Sequence, residues 1–342
     1  MRGLSKAGKN HGAACGPSKV WGCTMGKTFV YAGDTAIGAV LADNLVKAGY
    51  KAASGISDAD VVFTFCATQT DLEDVYFDTE GLVQTAQKGA FLVDLSPSTP
   101  GFARELNAVS IVSELAAIEA PLAVRDVTVE HAYSDPENLI CFVAGEEGDV
   151  AEILPMLKAL AATVEPTGAS GSAQLARAAL TLNTALQLVS VMEADALCRA
   201  SGASSSGAFR FAREQGFVTE SAARLYAAVA EKRFVGEYTV RVCMAELTAA
   251  LMAADDIDLI LPGAEAGLHL LELLAIIGGT DMAVSSLSLV YGEESACAAQ
   301  GLDWTRAEQA YGDGEADEDE CDCGGHHHLD EYSGGFGGYS AN

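Results

Sequence analysis

Basic residues are scarce. The 342-residue chain carries 20 Lys and Arg against 48 Asp and Glu, a formal net charge of −28. Nucleic acid and anionic membrane surfaces would both be repelled, so neither is an expected partner. Part of the imbalance is local: no Lys or Arg follows Arg306, and residues 313–331 hold nine acids. Uninterrupted membrane-length apolar runs are not evident either, since residues 247–261 are broken by Asp255, Asp256 and Asp258. A disulfide framework is not expected. The nine cysteines are an odd number, and Cys66 in VVFTFCA and Cys141 in LICFVAG sit in apolar runs, as reduced buried thiols do. Residues 1–24 are rich in Gly, Ser and Lys and lack the apolar core of a signal peptide. They read as a disordered leader or an upstream extension of the reading frame, and the chain as a cytoplasmic protein.

What is present is enough apolar residue, 49%, to build a sizeable core. The organising stretch is residues 27–50. A short apolar run ends in Gly33-Asp34-Thr35-Ala36-Ile37-Gly38, and an amphipathic pattern follows and stops at Gly49. Strand, glycine turn and helix is how a dinucleotide-binding βαβ unit begins, with the pyrophosphate on the helix N-terminus. Here the turn reads G-x-T-x-x-G, so Thr35 replaces the middle glycine, and Asp34 brings a negative charge to a phosphate-binding position. The alternative is a packing turn that binds nothing. The next strand, residues 59–66, follows after only a small-residue connector, leaving a vestige of the usual second strand and no acid at its end to read a ribose.

Further on, residues 70–87 have helical character, 89–95 form a strand and 101–107 a helix. Residues 109–118 carry a short strand and turn, 139–144 a strand, 148–161 a helix and 163–166 a last short strand. This alternation predicts a mostly parallel, doubly wound α/β sheet. From Gly171 to about Gly278 the pattern is helical, led by a long stretch at 173–201. The expected division is a leader at 1–24, a Rossmann-like domain at 25–168, an all-helical domain at 169–310 and an acidic tail at 311–342. That tail carries Cys321, Cys323, His326, His327 and His328, soft and borderline ligands suited to Zn, Ni or Cu(I). An incidental solvated tail is the other reading.

In this order the motifs resemble the β-hydroxyacid dehydrogenases, the group of 3-hydroxyisobutyrate and 6-phosphogluconate dehydrogenases. The glycine turn with Ala42-Asp43-Asn44-Leu45, Asp94-Leu95-Ser96 with Pro100, Glu119-Ala120-Pro121-Leu122 and Gly171 with Gln174-Leu175-Ala176-Arg177 carry the resemblance. It implies an NAD or NADP cofactor over residues 33–38, with Cys66, Ala67 and Ser96 beneath the ring. It also implies a small hydroxy-acid substrate and a homodimer formed through the helical part. The departures are as telling. The family's catalytic lysine falls at Arg177, which stays charged and cannot shuttle a proton near neutral pH. Its asparagine falls at Thr181, its Ser-Gly-Gly at Ala123-Val124-Arg125, its cofactor-side lysine at Ala245 and its threonine at Pro97. Arg177 is thus either a retuned catalytic cation or a structural charge. Glu130-His131 is a weaker acid–base candidate. Three readings stand: an NAD(P)-dependent dehydrogenase with Arg177 and Thr181 at the substrate, an inactive dimeric scaffold or sensor, and a metal-handling protein working through its tail.

Overall fold

The computed structural model describes residues 26–33, 35–202 and 205–312. Its first part alternates β1 (Thr28–Gly33), α1 (Thr35–Lys47), β2 (Lys51–Ala52), β3 (Val61–Phe65), α2 (Gln69–Phe77), α3 (Leu82–Thr85) and β4 (Phe91–Asp94). It continues with α4 (Pro100–Val112), β5 (Ala116–Glu119), β6 (Leu122–Val124), β7 (Leu139–Ala144), α5 (Glu147–Leu160) and β8 (Thr163–Gly168). The sheet order is β2-β1-β3-β4-β5-β7-β6, with β8 beside β7. The five strands from β2 to β5 run parallel, and β7 runs antiparallel to both β5 and β6. The expected mostly parallel sheet is therefore present, with an antiparallel edge that the residue pattern did not announce.

Strand alternation divides the core. Val61, Phe63 and Phe65 of β3 face one side with Phe29, Leu41 and Leu45. Val62 and Leu92 face the other, with Leu72 and Tyr76 of α2 and Phe102 and Leu106 of α4. Every residue of β3 and β4 is buried, which is why both read as continuous apolar runs. Two local expectations need correcting. α4 runs on to Val112, beyond 107, so the strand expected within 109–118 begins only at Ala116. The helical stretch at 70–87 is split at residues 78–81, where Gly81 would place a Cβ 2.7 Å from the Tyr76 carbonyl oxygen.

After β8 the chain enters α6 (Ser172–Ala200), then α7 (Ser205–Glu214), α8 (Glu220–Ala230), α9 (Val240–Asp255), α10 (Pro262–Leu274), α11 (Glu294–Ala298) and α12 (Thr305–Gly312). By length and apolar content alone α6 could cross a membrane. Its buried face nevertheless carries Gln174, Arg177, Thr181 and Asp195 and packs on α8, α9 and α10, the character of a central core helix. The Glu119 carboxylate at the end of β5 fastens its start, accepting from the backbone N–H of Gly171 at 2.7 Å and of Ala173 at 3.1 Å. An acid facing exposed helix N–H groups is favoured by both hydrogen bonding and the helix dipole. Glu119 thus joins sheet to helix. Glu130 and His131 do not form a pair of their own: the carbonyl of Glu130 accepts from the Glu237 N–H, and His131 Nδ1 lies 3.4 Å from the Glu237 carboxylate.

Candidate active site

The carboxyl ends of β1, β3 and β4 converge at a cleft beside α9. Gly33 ends β1 with φ +116°, a conformation that side chains resist, and a Cβ there would lie 2.2 Å from the Phe65 carbonyl oxygen. Gly38 lies in α1, where a Cβ would fall 1.7 Å from the Tyr31 ring. Tyr31 therefore clamps helix to strand, and its hydroxyl donates to the Phe65 carbonyl at 3.0 Å. An outer cavity of about 340 Å³ is lined by Gly33, Cys66, Ala67, Asp71 and Val75. An inner cavity of about 470 Å³ shares Ala67 and Asp71 and extends past Pro97 to Arg241, Met244, Ala245 and Thr248 of α9. Gly33 thus lets β1 and β3 close on each other, and it lines the outer cavity just before α1, where a dinucleotide fold places a pyrophosphate.

Of the residues expected to bind cofactor, Gly33, Cys66 and Ala67 line this cleft. Thr35 opens α1, Ala36 is exposed and Ile37 packs against the core; Asp34 lies outside the described residues. Ser96 is wholly buried. Its hydroxyl oxygen accepts from the Cys66 N–H at 2.9 Å, its carbonyl accepts from Gln174 Nε2 at 3.0 Å, and Gln174 Oε1 accepts from the Ser98 N–H at 3.0 Å. Ser96 and Gln174 thus hold the loop after β3 against α6. The tail residues Cys321, Cys323, His326, His327 and His328 lie outside the described residues. Among those described, no group of three or more His, Cys, Asp or Glu is placed to hold a metal.

Arg177 is 4% exposed. Its Nε donates to the Leu122 carbonyl at 2.6 Å, one terminal nitrogen bonds Thr181 Oγ1, and the other forms an ion pair with Glu246 of α9. The second oxygen of Glu246 accepts from the Tyr238 hydroxyl at 2.5 Å. Burial alone would weaken the guanidinium's hold on its proton, but Glu246 together with Tyr238 and Tyr133 outweighs it and the net shift is upward. Burial and the Glu246 charge together push the Tyr133 and Tyr238 hydroxyls well above their usual range, and the Cys243 thiol up to about 12. Neither tyrosine hydroxyl nor the Cys243 thiol gives up a proton near neutral pH, and the guanidinium keeps its charge. The gap bounded by Pro97, Ser98, Gln174, Arg177, Thr181 and Glu246 is too tight to admit a water-sized sphere.

Glu246 was missed from the sequence, although a signal existed. It is the one charged residue in the apolar run 242–254, as Arg177 is an isolated charge in LARAALTL. Two solitary opposite charges on buried helix faces have to find each other.

Asp94, at the end of β4, is 1% exposed. Burial pushes its carboxyl up to about 7, against the pull of its hydrogen bonds from Ser96. The folded chain therefore holds this proton more tightly than the unfolded chain, whose aspartates titrate near about 4. The stability this contributes is complete below about pH 4 and is lost as the pH rises through about 7. In thermal melts, Asp94→Asn should gain on the native chain at pH 8 and lose that advantage at pH 5. An equal difference at both pH values would contradict the assignment.

Comparison with known proteins agrees with this architecture. Residues 27–168 match the family model for the NAD binding domain of 6-phosphogluconate dehydrogenase. The chain is 27% identical over 145 residues to the uncharacterized oxidoreductase YkwC of Bacillus subtilis, covering 42% of this chain and 49% of that protein. It thus spans about half the length of that relative. The 2-hydroxy-3-oxopropionate reductase of Escherichia coli is 25% identical over 264 residues, covering 74% of this chain and 86% of the reductase. The structure of Mycobacterium tuberculosis 3-hydroxyisobutyrate dehydrogenase with L-serine superposes with a TM-score of 0.66 at 18% identity, covering 78% of this chain and 99% of that one. Residues 27–168 thus match an NAD-binding domain of the 6-phosphogluconate dehydrogenase type, and the chain shows distant homology to members of the 3-hydroxyisobutyrate dehydrogenase family.

Proposed function

We propose that this chain is an NAD(P)-dependent oxidoreductase of the β-hydroxyacid dehydrogenase type, acting on a small hydroxy acid or the matching carbonyl compound. The observation that carries this reading is the pair of adjoining cavities that share Ala67 and Asp71 and reach from Gly33, at the start of α1, to Ala245 of α9. The bound nicotinamide would supply or accept the hydride. Gly33 and the start of α1 would hold the pyrophosphate, and Cys66, Ala67 and Pro97 would form the floor at the inner end. Arg241 lines the inner cavity and offers a charged fork for a substrate carboxylate, although Asp281 at 2.9 Å competes for it. Arg177 and Thr181 would support this floor from behind through α6 and shuttle no proton.

One observation favours a second reading, a family member that binds dinucleotide without turning over a hydroxy acid. The position of the family's catalytic lysine is occupied by a side chain locked to Glu246. General acid–base work needs a group that can change protonation state near the working pH, and an ion-paired arginine does not.

Titration with NADH and NADPH, read by cofactor fluorescence, tests the shared part of both readings. Saturable binding at micromolar to millimolar cofactor is the expected result; none at millimolar cofactor would remove both. Oxidation of a panel of 3- and 4-carbon hydroxy acids then separates them. Turnover supports the dehydrogenase, and binding without turnover supports the second reading.

A further inference from the structure

The second strand stops early. β2 pairs with β1 only through Lys51 opposite Thr28 and Ala52 opposite Phe29, and the last bond of this edge runs from the Ala53 N–H to the Phe29 carbonyl at 2.7 Å. β1 continues four residues further, to Gly33 opposite Phe65 of β3. At roughly 3.3 Å per residue, β2 ends about 13 Å short of the glycine turn. After it, Ser54 and Asp58 satisfy each other at 2.5 Å. The end of this strand, where a Rossmann site places its ribose reader, therefore lies far from the cleft.

A different carboxylate stands at the cleft. Asp71 is in the first turn of α2, where Thr68 caps the helix by accepting the Asp71 N–H at 3.1 Å, and the Thr68 hydroxyl donates to the Asp71 carboxylate at 2.7 Å. The side chain is thereby tethered, and it lines both the outer and the inner cavity. Among the described residues no Lys or Arg lines the outer cavity, and Arg241 of the inner one is ion-paired with Asp281.

We propose that Asp71 reads the ribose diol of the cofactor in place of the missing second-strand acid, and that the cleft selects NAD(H) over NADP(H). This rests on the NAD(P) reading above. An ionised carboxylate has two oxygens to accept from two vicinal hydroxyls. A 2′-phosphate removes one of those donors and brings further negative charge beside Asp71, in a cavity where no described residue offers a cation to receive it, and on a protein already at −28.

Calorimetric titration of NADH and NADPH into the full chain and into Asp71→Asn tests this. The native chain should bind NADH at least about tenfold more tightly than NADPH. Asp71→Asn should weaken NADH by about tenfold and tighten NADPH, closing the gap, while an unchanged melting temperature shows that the fold survives. Equal affinity of the native chain for both cofactors, or an unaltered ratio in Asp71→Asn, would overturn the assignment and leave the oxidoreductase reading standing. Binding of neither cofactor would overturn that reading, and this one with it.

Discussion

Arg177→Ala is expected to destabilise the fold by about 3–5 kcal/mol, because it leaves Glu246 charged, buried and unpaired. The two side chains are only 5% and 2% exposed, so little water can replace the lost partner. Against the roughly 5–15 kcal/mol that holds a typical protein folded, this would leave much of the chain unfolded on mild heating. Removing both charges should be far gentler. Arg177→Met combined with Glu246→Leu keeps the apolar bulk and takes away the need for a counter-charge, so most of the loss should return. Guanidinium denaturation of the native chain, both single variants and the double variant checks this. A purely catalytic arginine predicts the opposite pattern, with unchanged stability in the single variants. No such economy of effect is compatible with a guanidinium that donates to Leu122, Thr181 and Glu246 at once.

Gly33→Ala carries the second large effect, and it acts on stability and cofactor binding together. The positive φ costs a side-chain-bearing residue about 1–3 kcal/mol. The new Cβ would also meet the Phe65 carbonyl oxygen at 2.2 Å, which forces the ends of β1 and β3 apart. Gly49→Ala is the internal control. It has a similar φ of +94° but nothing within 4 Å of the added carbon. It should show the conformational part of the loss alone and leave NADH affinity unchanged. Gly33→Ala should melt at a lower temperature than Gly49→Ala and bind NADH too weakly to detect. Equal behaviour of the two variants would show that the approach of Phe65 to Gly33 is not a constraint on the cleft.

Much of the α/β part was readable because its strands are buried on both faces. Continuous apolar runs such as 61–65 and 91–94 leave few alternatives, and the shortness of β2 follows from the number of residues between Gly49 and Ala59. The antiparallel edge formed by β6 and β7 was not readable. Leu122–Val124 is three residues long, and its pairing with β7 across residues 125–138 is settled by the sheet and not by local pattern. The end of α4 was misjudged for a related reason: Val109, Ile111 and Val112 have strand-like side chains but complete a helix that packs on β5. At the site, the glycine turn announced itself through spacing. Ser96 did not announce its role, since a serine at a strand end can face a ligand or hold a neighbouring loop, and only the Cys66 N–H shows which. The partnership of Arg177 with Glu246 spans 69 positions of sequence and depends on how α6 meets α9.

The central claim is that an open dinucleotide cleft survives beside a substrate position filled by an ion pair. Its most direct test is a crystal structure of the full chain grown with millimolar NADH. The account requires the pyrophosphate at Gly33 and the start of α1, the nicotinamide between Ala67, Pro97 and Ala245, and Arg177 still bound to Glu246. An empty cleft in crystals grown at that concentration, or an Arg177 that has swung away from Glu246 toward the nicotinamide, would contradict it.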